Sequence, residues 1–81
     1  MQPPLSMPDT RFLDYARQGD VGGILVTCAM FHANPFAIGP DGFDAVQLAS
    51  TIADEQLRAD TMSLIQDFRD MYQAPQSQTL Q

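Results

Sequence analysis

Apolar side chains recur at helical spacing in four segments of the chain, and glycine, proline and asparagine residues separate these segments. The spacing predicts helices over residues 8–18, 21–32, 43–51 and 54–73. Side-chain oxygens at Ser6, Asp20 and Asp44 are placed to cap three of the helix starts. Gly19 is placed to end the first helix. The chain is therefore predicted to be all-α.

The 81 residues are enough for one domain, and the helical segments place it over residues 8–73. Residues 1–7 form a proline-rich lead that is predicted to be extended. Residues 74–81 form a polar tail that is predicted to be disordered. Ser6 and Asp9 have the spacing of a capping box, in which each residue satisfies a backbone N–H of the other.

The second and last helices differ in their pattern. The second is apolar on most sides, which predicts that it is the most buried helix. Gly22 and Gly23 either weaken its first turn or allow another helix to approach closely. The last helix is amphipathic, and its apolar stripe is interrupted at Thr61.

A turn is predicted between the second and third helices, where the sequence reads Gly-Pro-Asp-Gly over residues 39–42. Residues 36–42 are expected to form a hairpin-like loop. Phe36, Ile38 and Phe43 flank that turn and are the side chains that we single out for partner binding. The alternative is that the two phenylalanines pack beneath the loop.

Three stretches of the sequence match one known pattern. They are Ala16-Arg17-Gln18-Gly19-Asp20, His32-Ala33-Asn34-Pro35 and Asp41-Gly42-Phe43-Asp44-Ala45-Val46-Gln47-Leu48-Ala49. Their order resembles the ankyrin repeat family, with the match covering Tyr15 to Ala49 and fading beyond it. The resemblance implies two helix-turn-helix hairpins with a long amphipathic C-terminal helix. His32, in place of the family's glycine, is a departure that requires a left-handed backbone conformation.

Ankyrin-like proteins contact their partners through loop tips and the faces of the first helices. The resemblance therefore implies a partner-binding surface of six residues: Ile38, Pro40, Asp41, Phe43, Asp44 and Gln47. Repeat proteins commonly need at least about three stacked units for stability. An isolated pair of hairpins is expected to dimerise, to bind a partner, or to be covered by its own last helix.

The charge balance is acidic, with ten carboxylates against four arginines, no lysine, and a formal charge of −6. Scattered arginines do not favour direct binding to nucleic acid or to anionic membranes. Acidity permits a basic partner or mimicry of nucleic acid. No signal-peptide pattern or membrane-length apolar run is present, and the single Cys28 allows no intrachain disulfide. We therefore expect a cytoplasmic protein.

Cys28 and His32 are four residues apart and so share a helix face. Such a pair can be half of a zinc site shared across a dimer, or a thiol nucleophile with its base. The chain has no other cysteine or histidine, and an apolar helix raises the pKa of a thiol. The simpler interpretation is a buried thiol beside a helix-terminal histidine. We expect no enzymatic activity, no metal and no cofactor.

The function predicted from the sequence is a small acidic interaction module that binds or inhibits a macromolecular protein partner. Two alternatives stay open. The first is an inhibitor that mimics nucleic acid and blocks a DNA- or RNA-binding protein. The second is a dimerising regulatory or assembly subunit, which would make the chain a homodimer.

Overall fold

The computed structural model describes residues 6–72, and helices account for most of that range. The elements are α1 (Met7–Gln18), α2 (Val21–Leu25) with a π-helical continuation (Val26–Met30, hereafter the π segment), α3 (Ala45–Ala49) and α4 (Glu55–Met71). The described residues contain no strand beyond one isolated bridge. The all-α prediction is confirmed. Residues 1–5 of the predicted lead and the whole predicted tail, 74–81, lie outside the described residues.

Local side chains set the first helix boundaries as the sequence predicted. The Asp9 backbone N–H donates to Ser6 Oγ at 3.2 Å. Gly19 ends α1 with φ 73°, a left-handed conformation that glycine adopts without steric cost. The Asp20 carboxylate then accepts from the backbone N–H of Gly23 at 3.0 Å, which caps α2. α1 begins at Met7, one residue before the predicted start.

Only half of the predicted capping box at Ser6 forms. The Asp9 carboxylate accepts a hydrogen bond from the backbone N–H of Asn34 at 2.7 Å instead of turning back to Ser6. This bond joins α1 to the segment that follows the π segment, 25 residues further along the chain. Asp9 therefore stabilises the tertiary structure and not the helix end.

The prediction that the second helix is the most buried is wrong. Only Ile24, Thr27 and Cys28 of this helix are buried, whereas three of the five residues of α3 are. The helix also ends at Met30 instead of near His32, which has φ 57°. A domain of this size has too few elements to surround a helix on all sides.

Gly23 allows α1 and α2 to approach closely. A Cβ atom at Gly23 would lie 2.5 Å from Cγ of the Tyr15 ring, well inside van der Waals contact. At Gly22 the nearest atom would be Asp20 Oδ1 at 3.7 Å, so that position is open. Of the two roles left open by the sequence, close approach therefore holds for Gly23 alone.

The predicted turn precedes α3. The Gly42 N–H donates to the Gly39 carbonyl at 2.9 Å, and Gly42 has φ 88°. Ile38 and Asp44 pair in an antiparallel bridge across the turn, which makes the loop hairpin-like as predicted. α3 itself spans Ala45–Ala49 and is shorter than the predicted 43–51.

The core lies between α1 and the other helices. α1 packs against α2, the π segment and α3, and α3 packs against α4. The largest fully buried side chains include Phe12, Ile24 and Ile65. The two hairpins that the ankyrin resemblance implies, and the way they would stack, stay predictions.

Thr61 lies at the centre of the buried face of α4, which Asp54 caps. Its side chain is fully buried, and its hydroxyl has no hydrogen-bond partner within the described residues. The interruption that Thr61 makes in the apolar stripe is therefore a buried polar group and not a solvent-facing position. An unsatisfied hydroxyl in a core lowers stability.

Replacing Thr61 by valine, which has the same shape, is expected to raise the free energy of unfolding by about 1 kcal/mol, because the unsatisfied hydroxyl is removed. Urea denaturation followed by circular dichroism measures this. Thr27 is the matched control, because its buried hydroxyl donates to the Gly23 and Ile24 carbonyls at 2.9 and 3.2 Å. Thr27→Val is expected to give no such gain, and equal gains for both variants would contradict the assignment.

Candidate interaction surfaces

The predicted binding loop presents its large apolar side chains to solvent. Phe36, Ile38 and Phe43 are each about half exposed, between 48% and 51%. About half of each phenylalanine side chain is covered by the protein and half is exposed, so partner binding and packing beneath the loop both stay open for these two residues. A hydrogen bond from the Gly39 N–H to the Phe43 carbonyl, at 3.0 Å, fixes the backbone between these side chains.

Asp44 and Gln47, two of the six predicted binding residues, are bonded to each other at the start of α3. Asp44 Oδ1 accepts from the Gln47 backbone N–H and Gln47 Oε1 accepts from the Asp44 backbone N–H, both at 2.9 Å. Asp44 Oδ2 lies 3.4 Å from Arg69 Nη2. Both carboxylate oxygens of Asp44 thus have partners, so this residue positions α3 and leaves little free capacity for a ligand.

Asp41 and Pro40 lie at the exposed tip of the loop. Asp41 Oδ1 accepts from the Phe43 N–H at 3.2 Å, and its other oxygen is 4.0 Å from Arg17 Nη2. Arg17 also lies 3.5 Å from Asp14. Ion pairs this exposed contribute little to stability, so Asp41 can exchange Arg17 for a cation on a partner.

Arg69, near the end of α4, contacts Pro35 and Phe36 at the start of the loop. Its Nε donates to the Pro35 carbonyl at 3.0 Å, and its guanidinium carbon lies 4.9 Å from the centre of the Phe36 ring. The Phe36 ring also packs against Tyr72, with 6.2 Å between ring centres. Arg69 thus contacts Phe36 and Asp44 together and connects both sides of the loop to α4.

A second apolar surface was not foreseen from the sequence. We call it the outer face; it consists of side chains that are 44% to 68% exposed: Met7, Leu25, Val26, Met30 and Phe31. A groove of about 310 Å³ runs beside it between α1 and the π segment, lined in part by Tyr15, Val26 and Phe31. The length of the chain could have predicted this surface, because so short a chain leaves much of any apolar helix exposed.

The Cys28 and His32 pair lines a cleft of about 520 Å³ that also contacts Phe68, Met71 and Tyr72 of the last helix and its end. Burial raises the pKa of the Cys28 thiol to about 11, as the apolar surroundings predicted. The thiol is therefore protonated near neutral pH and a poor nucleophile. Within residues 6–72, no three His, Cys, Asp or Glu side chains cluster as metal ligands.

The chain has no match among known proteins from which a function could be inferred. No protein family, no curated protein and no solved structure matches the chain. The relation to ankyrin repeats accordingly stays a prediction that rests on the residues quoted above. Among the described helices, none combines the length and the apolar character needed to cross a bilayer.

Proposed function

We propose that this protein is a small interaction module that binds or inhibits a macromolecular protein partner through the loop before α3. The observation that supports the proposal is the exposure of Ile38 and Phe43 on a backbone held by its own hydrogen bonds. Large apolar side chains at the centre of an interface supply most of its binding free energy. A rigid loop also loses little conformational entropy when it binds.

The partner is proposed to carry a basic surface. Asp41 lies between Ile38 and Phe43 in the loop and is exposed, and the whole chain carries a formal charge of −6. Acidic groups at the rim of an interface mainly increase the association rate and the specificity. Association is accordingly expected to slow as salt is added, and Asp41→Asn is expected to slow it at low salt.

A second candidate is an inhibitor that mimics nucleic acid, and one feature of α4 favours it. The solvent-facing side of this 17-residue helix carries a row of exposed carboxylates: Glu55, Asp60, Asp67 and Asp70. Gln56 and Gln66 each donate to the carboxylate four residues further on, which holds two of these groups in place. Competition between DNA and this protein for a captured partner separates this candidate from the first.

The test is affinity capture from a lysate of the source organism, with mass spectrometry of the retained proteins. We expect a stoichiometric partner that Ile38→Ala with Phe43→Ala reduces by at least about tenfold. Leu25→Ala with Met30→Ala is the control, because it truncates two large exposed apolar side chains on the outer face, away from the loop. Capture that is unchanged in the loop variant, or lost equally in both, would contradict a partner site at the loop.

Asp44 is left intact in these variants. Substituting it would remove the cap of α3 and the contact with Arg69, so lost binding could reflect a displaced loop. Circular dichroism and thermal unfolding of each variant check that the fold is retained.

A further inference from the structure

We infer that the outer face binds a second copy of this chain, forming a two-fold symmetric dimer. This inference uses a surface other than the loop and does not depend on the proposed function. Five large apolar side chains of this small domain are exposed to water, and three of them, Met7, Val26 and Phe31, line one groove. Exposed apolar patches of this kind mark interaction sites in soluble proteins.

The distribution of charge indicates which kind of surface the outer face binds. Residues 21–40 contain none of the ten carboxylates and none of the four arginines. Two copies that each carry −6 repel one another, and they repel least when they meet through a surface without carboxylates. A basic partner finds no carboxylate on residues 21–40 and meets the cation Arg11 in the groove, so this face suits an apolar surface better than a basic one. The outer face of a second copy is such a surface.

The π segment creates the shape of the face. Val26 and Phe31 are five residues apart, a separation that turns side chains about 140° apart on an α-helix. The wider i to i+5 turn of a π-helix brings them together, and both line the groove beside α1. π-helical turns are rare and recur at functional sites. The π-helical turn thus places Val26 and Phe31 together at the groove.

A two-fold interface brings the same surface of both copies together, so the outer face of one copy would meet the outer face of the other. Met30 is its most exposed side chain, and its unbranched chain adapts to irregular apolar cavities. The groove is lined by Met7, Val26 and Phe31 of the same face, and it offers such a cavity to a facing copy. Arg11 is the one charged side chain lining the groove, so no carboxylate opposes this approach.

A small domain also gains from association. The core of this chain rests on few large side chains, and its buried set includes the unsatisfied Thr61 hydroxyl. Domains of this size are commonly stabilised by oligomerisation. Covering five apolar side chains on each copy supplies that stabilisation without any change in the fold.

Sedimentation equilibrium of the full chain over micromolar to millimolar concentrations tests the inference. We expect a reversible species of twice the 8.9 kDa monomer mass. Met30→Asp is expected to weaken the dimer by at least about tenfold. The matched control is Ile38→Asp, which adds the same charge at a similarly exposed loop position and should change dimerisation by no more than about twofold.

Met30→Lys separates a specific interface from general charge repulsion. It makes the net charge less negative, so a dimer limited by overall repulsion would become stronger. A dimer formed through the outer face is instead expected to weaken, because a charge is then buried among the apolar side chains of the interface. The inference would be overturned if the wild type stayed monomeric at every concentration, or if Met30→Asp left the dimer intact. Unchanged partner capture in the Ile38 and Phe43 variant would count against the loop as a binding site and not against the dimer.

Discussion

Replacing Phe12 by alanine is expected to lower the free energy of unfolding by about 3–5 kcal/mol, which is enough to unfold much of a domain this small. Phe12 is fully buried on α1, the helix that packs against α2, the π segment and α3. Its removal leaves a cavity that three neighbouring elements would have to fill. Because each of those elements also packs elsewhere, the core can collapse only partly into the space.

Urea denaturation monitored by circular dichroism measures this loss, and Phe31→Ala is the control. The same atoms are removed at Phe31, but that side chain is 58% exposed, so stability should change by less than about 1 kcal/mol. The comparison is made at low protein concentration, because dimerisation through the outer face would otherwise add stability to the wild type. Equal losses for the two variants would show that the core is not centred on Phe12.

Replacing Gly23 by alanine is expected to destabilise the fold by about 1–3 kcal/mol, although alanine is the better helix former. The new Cβ would meet three atoms of the Tyr15 ring at 2.5 to 2.6 Å, and these atoms lie at the base of the ring, where the side chain cannot swing away. Either the ring must leave its rotamer or α1 and α2 must move apart. Both responses disturb the central packing of the domain.

Gly22→Ala is expected to have the opposite sign, with a gain of about 0.5–1 kcal/mol. The two glycines are adjacent in the same helical turn, so the change in backbone entropy is nearly the same for both. Only Gly22 has room for a Cβ. Thermal and urea unfolding of both variants measures the difference, and a shared sign would mean that the approach of α1 to α2 is looser than described.

The features that the sequence predicted correctly are those decided within a few residues. Ser6, Asp20 and Asp44 each bond to a backbone N–H three residues ahead. The turn after Gly39 closes through a hydrogen bond of the same short span. Such contacts depend on residue type and spacing, which a sequence contains in full. The raised pKa of Cys28 followed from the apolar helix around it.

The candidate surfaces were only partly predictable for a related reason. The loop was predicted because its glycines and proline indicate a turn. Apolar residues beside a turn were then expected to be exposed. The ion pair between Asp44 and Arg69 was not predicted, because these residues are distant in the chain and meet only when α4 packs beside the loop. The part of the outer face on the second helix was predicted to be buried, because an apolar pattern does not show which side of a helix packs against a neighbour.

The sequence by itself thus determined the helices, most of their caps, the turn between residues 39 and 42, and the acidic charge, because each depends on residues close together in the chain or on composition alone. Only the tertiary structure decided that Asp9 binds the Asn34 backbone, that Thr61 is buried, and that one side of the second helix meets solvent. Those outcomes depend on which elements pack against each other and on how many elements there are to do so. A chain this short has enough helices to cover one side of α2 and the π segment, and the side left uncovered is where we infer that a second copy binds.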